Sequence, residues 1–449
     1  MIVRLRAGEQ ALAKFADLDI LSSGPHREQS YKYLQEDFQA AARPLADYLK
    51  KTREFTHGRY QSALAAYAAG KMDILSSESP IEHGVADYQE LLPSRAIAVT
   101  ATEDVFRQLR FLDAVKDVHP NYLYELPDLG PTEPGDPLDI QSAEDGDLLA
   151  WHLDHVKARG PNRRRAGTSV RVAVLDTGLD CTHREFRNRV SVPFAEWDAL
   201  GTEVSAPVRR DTHGHGTHVT GILCGETVGV APAVSVFIGL IAPAGRTTFA
   251  QVNKGLDWAA RQGVHIVNIS VGKKGYTGEM EQFTDFARQM NILIVAAVGN
   301  DGAGNHRSPG DYQSVLSVGA TVASRQVWRD RYYASGGGLV CDGVATYRKP
   351  DVYAPGGDIY SSWSSPPRDD YQRSSGTSMA APVVAGAAAV LKGAKMALTA
   401  DELRLQILQN CEPIPLPPAL GGTGLLLTGM KYVARDNIEQ LAYQKYLGR

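Results

Sequence analysis

Cysteine is scarce in this chain. Its 449 residues hold four, Cys181, Cys224, Cys341 and Cys411, at spacings that suit no metal site. A disulfide-stapled scaffold and a cysteine zinc module are thereby excluded, and the thiols are expected to be reduced and mostly buried. Long apolar runs are also missing. None approaches the roughly 20 residues of a membrane span, so no membrane partner is expected. The first residues, Met1 to Gly8, lack the basic-then-apolar layout of a secretion signal. A cytoplasmic location is the expectation, with export without a cleaved signal as the alternative. Positive charge is not in excess: the net charge is −4, against what nucleic-acid binding asks for. What is abundant is core, since 43% of residues are hydrophobic, and the length suits two or three domains.

Residues 1–126 read as one unit. A short strand at Met1 to Leu5 precedes two helical patterns between about 28 and 69, with Tyr31, Leu34, Phe38 and Ala41 on one face and a break at Thr56-His-Gly58. Strands follow at Tyr88 to Leu92 and Arg95 to Thr100. A helix capped by Thr102 runs to about Leu112, and another strand spans Val115 to His119. The order is β-α-β-β-α-β, an α+β unit of ferredoxin-like type with a helical insertion at about 28–80. Asp-Ile-Leu-Ser-Ser occurs at Asp19 and again at Asp73; two copies make no repeat architecture. Residues 127–148, rich in Pro, Gly, Asp and Glu, read as a flexible linker. Residues 149–449 alternate strands (beginning near 169, 234, 265, 292 and 315) with helices at Phe249 to Gln262 and Glu279 to Met290. That alternation is the pattern of a mostly parallel sheet covered by helices, an α/β domain of three layers. Its ligands bind beyond the carboxyl ends of the strands. Past the sheet, Thr399 to Asn410 reads as a capped helix, Gly421 to Leu427 as a turn and short strand, and Asn437 to Leu447 as a terminal helix.

Four side chains stand at such places. Asp176 ends the first strand of the domain, where the plain reading is a helix cap. His215 lies in Asp211-Thr-His-Gly-His-Gly-Thr-His-Val-Thr-Gly221, whose three histidines suggest a metal but lack a third fixed donor. His218 fits better as a satisfied histidine inside the helix. Asn300 follows the strand ending at Ala297, where a turn asparagine is common. Ser378 opens a run of small and apolar residues, so it sits at the positive end of a buried helix, with Thr377 or Ser378 as N-cap and Pro382 in or just past the first turn. Singly, each has a structural explanation. Together, a carboxylate can orient an imidazole, the imidazole can take a serine proton, and an amide can donate to an oxyanion.

Asp176-Thr-Gly178, His215-Gly-Thr-His-Val-Thr-Gly221 and Gly376-Thr-Ser-Met-Ala-Ala-Pro382 resemble the three active-site motifs of the subtilisin-like serine proteases, in the Asp-His-Ser order of that family. Ala297-Val-Gly-Asn-Asp-Gly302 resembles its oxyanion-asparagine segment. Gly229-Val-Ala-Pro232 and Ala354-Pro-Gly356 resemble its structural signatures. The resemblance implies a serine endopeptidase acting on protein or peptide substrates through an acyl-enzyme. Ser378 would be the nucleophile, His215 the base, Asp176 its orienter, and Asn300 with the Ser378 N–H the oxyanion hole. Ser270, Val271 and Gly272, and Ala296, Ala297, Val298 and Gly299, resemble the edges of the specificity pocket. Lys273, Lys274 and Asp301 depart from the family pattern: Lys273 favours acidic groups, Asp301 basic ones, unless all are solvated rim charges. The chemistry needs no cofactor. Calcium accompanies the family, but no acidic loop has ligand spacing, so calcium stays unassigned. Arg95 to Glu125 resembles the family's inhibitory propeptide. The N-terminal domain is thus expected to be an intramolecular inhibitor, with His119 to Leu126 threading the cleft and autocleavage in the linker.

Overall fold

The computed structural model describes residues 1–5, 24–68, 85–126 and 150–414, except 161, 190, 208, 209, 212, 331, 332, 366 and 367, together with 425 and 426. The linker, both copies of Asp-Ile-Leu-Ser-Ser and the helix expected at 437–447 lie outside these residues. The main sheet has nine strands in the order Cys411–Glu412, Leu425–Leu426, Val352–Pro355, Leu316–Thr321, Leu293–Ala297, Ile266–Ile269, Arg171–Asp176, Ser235–Leu240 and Phe194–Glu196. All neighbours are parallel except the Cys411–Glu412 strand. The central strands are almost wholly Val, Ile, Leu and Ala, because both faces are covered.

Alternation along one strand shows the layers. Val172 and Val174 point into a core shared with the helices His215–Cys224, Thr377–Ala394 and Ala400–Gln409. Ala173 and Leu175 point the other way, toward the helices Phe249–Arg261 and Glu281–Gln289. The Phe249–Arg261 helix starts where a capping box fixes it, with Thr248 and Gln251 exchanging side-chain and backbone bonds. Thr377–Ala394 is the one helix among the described residues long and apolar enough to cross a membrane, and it lies buried against the sheet.

The N-terminal residues form a four-stranded antiparallel sheet ordered Val85–Leu91, Ala96–Ala101, Ile2–Leu5, Val115–His119. Three expectations need correction here. A single helix, Gly24–Ala68, replaces the two expected, and it runs through Thr56-His-Gly58. One glycine costs about 1 kcal/mol relative to alanine, and the Lys-, Glu-, Gln- and Ala-rich flanks outweigh it. Its buried stripe is Leu34, Phe38, Ala42, Leu45 and Leu49, so Ala42 rather than Ala41 faces the sheet, while Pro44 is exposed. The cysteines are free, as expected, but only Cys224 is buried; Cys341 is exposed, and Cys181 and Cys411 are partly covered.

The N-terminal sheet shares one apolar core with the face of the main sheet that carries Phe249–Arg261 and Glu281–Gln289. Polar contacts also join the two sheets' elements. The Tyr31 hydroxyl donates to Asp257 at 2.8 Å, Ser94 bonds Asn253, and Arg4 donates to the Gly278 carbonyl at 3.0 Å.

Candidate active site

Asp176 is the last residue of its strand and His215 the first of its helix. His215 Nδ1 lies 2.7 Å from Asp176 Oδ1, and both side chains are fully buried. A carboxylate at Nδ1 selects the tautomer with its hydrogen there and turns Nε2 into the acceptor. Nε2 has no hydrogen-bond partner among the described residues. The turn before His215 is set by two residues. Gly214 has φ 97°, and a Cβ on it would fall 2.4 Å from the Trp363 ring. Asp211 accepts from the backbone of His213, Gly214 and Thr217 and from the hydroxyls of Thr177 and Thr217. Since Thr177 follows Asp176, Asp211 ties the two halves of the pair together. Its role was not anticipated, although it opens the histidine motif. His218 is buried, its Nε2 facing the carbonyls of Ile359 and Gln372 at 3.1 and 2.9 Å, and burial pushes its pKa down to about 3.

Ser378 is the second residue of the helix Thr377–Ala394. Gly376, at φ 155°, is the N-cap rather than Thr377 or Ser378, because Asn300 does the capping from outside. Asn300 Oδ1 accepts from the Thr377 N–H and hydroxyl, both at 2.9 Å. A Cβ at Gly376 would lie 2.8 Å from Asn300 Nδ2, so only glycine leaves room for that amide. Pro382 has no N–H to give the Ser378 carbonyl four residues back. Ser270 Oγ donates to that carbonyl at 3.3 Å, and Ser378 Oγ donates to the Ser270 carbonyl at 3.2 Å. The serine hydroxyl is thus parked on Ser270 instead of on His215.

Ser270–Gly272 and Ala296–Gly299 leave the sheet side by side, continuing strands paired Ile269 to Ala296. The charges flagged beside them are paired. Lys273 lies 3.4 Å from Glu279 and 3.3 Å from the Tyr122 ring centroid. Asp301 binds Lys274 at 2.6 Å and Arg307 at 2.7 Å. Arg307 gave no signal in sequence; the turn through residues 301–307 folds it back. A further strand, Leu123–Glu125, lies antiparallel to Arg246–Thr248. Glu125 exchanges both backbone bonds with Gly272, at 3.2 and 2.9 Å, and the Leu126 N–H donates to the Gly245 carbonyl at 3.0 Å. Tyr124 is fully buried there, and that burial, with Glu279 and Tyr312 nearby, holds its hydroxyl pKa well up. Among the described residues, no three His, Cys, Asp or Glu side chains are grouped to hold a metal.

A serine at a helix start and a buried Asp–His pair, all at the carboxyl edge of a parallel sheet, define a class of hydrolytic enzyme. The peptidase model described as the subtilase family matches residues 167–430, and the chain belongs to that family as a subtilisin-like serine endopeptidase. It is 33% identical to subtilisin Savinase of Lederbergia lenta over 54% of this chain and 84% of that protein. An alkaline protease of Shouchella clausii is also 33% identical, over 54% of this chain and 60% of its own length. An intracellular serine protease of Paenibacillus polymyxa is 33% identical over 63% of this chain and 86% of that protein. Among solved structures, a cold adapted subtilisin-like serine proteinase superposes with a TM-score of 0.50 at 29% identity, covering 62% of this chain and 97% of that one.

Proposed function

We propose that this endopeptidase is held inactive by its own N-terminal unit and processes itself through an Asp176-His215-Ser378 triad. The observation that carries the reading is the strand Leu123–Glu125, which adds to Arg246–Thr248 and to Gly272 as an extended peptide would. For catalysis the Ser378 hydroxyl swings from the Ser270 carbonyl to His215 Nε2. His215 takes its proton as the oxygen attacks the peptide carbonyl. Asp176 steadies the imidazolium, and the Ser378 N–H with Asn300 Nδ2 receives the oxyanion. His215 then protonates the leaving amine, and water releases the acyl group by the reverse route.

The domain reading follows: residues 1–126 inhibit, 127–148 link and are cut, and 149–449 catalyse. The four-stranded antiparallel sheet in the order described supports the first part. A cytoplasmic place of action is supported by the likeness to a protease named intracellular and by four cysteines that form no disulfide; cell fractionation tests it. Incubating the purified chain is expected to yield two fragments split between about Leu126 and Asp147, and Ser378→Ala to keep it whole. Two intact proteins, neither labelled by a fluorophosphonate, would overturn the triad.

A further inference from the structure

The slot between Ser270–Gly272 and Ala296–Gly299 is filled by one side chain. A Cβ built on Gly272 falls 2.9 Å from Arg307 Cβ, and one built on Gly299 falls 2.9 Å from Arg307 Cγ. The Arg307 N–H is anchored to the Val298 carbonyl at 2.9 Å. Its guanidinium donates through Nη1 to the Gly272 carbonyl at 3.3 Å and through Nε and Nη2 to Asp301 at 2.7 and 3.2 Å. Only 4% of the side chain is exposed. Those three bonds use three of the five guanidinium hydrogens, leaving two for a ligand. The local charges are two cations, Arg307 and Lys274, around one carboxylate, Asp301. Burial pulls the Asp301 pKa up, but bonds to Arg307 and Lys274 bring it below the ordinary value, so it is ionised and the cluster is left one charge positive.

We propose that Arg307 is the specificity-determining residue of the cleft: it closes the slot to long apolar side chains and presents a cation to an acidic residue just before the scissile bond. The proposal rests on the reading of these two walls as the substrate pocket. A phenylalanine side chain enters only by displacing Arg307, which would strip Asp301 of its main partner in a mostly buried site. A glutamate side chain instead meets the two remaining guanidinium hydrogens and balances the extra positive charge.

The test uses the full chain after self-processing and two peptides that differ only in Glu or Phe at that position. A fluorophosphonate titration counts active sites in every sample. The expected result is a kcat/KM for the Glu peptide on the order of a hundredfold above that for Phe. Arg307→Gly is expected to reverse the order while still taking up the label, and Arg307→Lys to keep Glu ahead. A wild-type enzyme that cuts the Phe peptide as fast as the Glu peptide overturns the proposal, whether or not the glycine variant folds. A chain that neither cuts nor takes the label overturns the triad reading beneath it, which is a separate result.

Discussion

Asn300 caps a helix with one atom and, in the proposed mechanism, receives the oxyanion with the other. Its Oδ1 caps the Ser378 helix through Thr377, and its Nδ2 lies beside Gly376. The duties separate by substitution. Asn300→Asp keeps the acceptor and removes the donor, so kcat is expected to fall by about 10²–10³, the loss known for such a donor in a subtilisin, a relative of this chain. Its melting temperature should stay near that of the parent. Asn300→Ala loses both, and is expected to cost about 1 kcal/mol of stability in addition. Thermal melts and peptide kinetics on the pair decide it; equal melting points would remove the capping duty. The proposed triad and Asn300 could be named from sequence because each sits in a short motif whose glycines force the local turn. Asp211 and Arg307 could not, because what makes each matter is a distant contact beside its local ones: Thr177 for the first, Gly272 and Gly299 for the second. Only the folded loops bring these together.

Among the elements, the strand Leu123–Glu125 is the one on which the proposed latency rests. Its backbone bonds are interchangeable with those of any extended peptide, so its advantage over a substrate comes from being tethered and from Tyr124. That ring is wholly buried beside Thr277, Glu279 and Tyr312. Truncating a large buried aromatic costs about 3–5 kcal/mol, and here the loss falls on the bound state of the inhibitor. Tyr124→Ala is therefore expected to raise peptide hydrolysis by the unprocessed chain roughly tenfold or more. A rate within twofold of the parent, in a folded Tyr124→Ala protein, would show that Tyr124 does not hold the inhibitor down. The strands and helices near this cleft were foreseen to within a few residues, since their periodicity is strong. The hairpin Ile359–Ser365 with Arg368–Ser374 was not foreseen. Its Ser- and Asp-rich sequence has no apolar alternation to announce it, and one of its supports is a contact of His218 with two of its carbonyls.

Buried histidines make the fold as a whole sensitive to acid, and two of them are fully enclosed. His152 and His218 are both fully buried on the side of the sheet that carries the Ser378 helix. Burial lowers their pKa values from 6.5 to about 4 and about 3. The unfolded chain takes up these protons just below 6.5, while the folded chain refuses them until about 4 and 3. Between those values the unfolded state binds more protons, so stability falls as pH falls. The loss is of order 2 kcal/mol for each histidine at about pH 5. That is a large fraction of the total for most domains. The measurement is the unfolding free energy of Ser378→Ala, which cannot digest itself, from neutral pH down to about 5. His152→Gln retains a donor for the Val228 carbonyl, 2.8 Å from the ring nitrogen, but has no proton to gain. In the Ser378→Ala background it is expected to remove about a third of the histidine contribution to the slope, because burial also lowers His265 to about 4 and it titrates over the same range. If the two pH profiles run parallel, His152 is not titrating on unfolding, and the acid sensitivity comes from His218, His265 or the carboxylates instead.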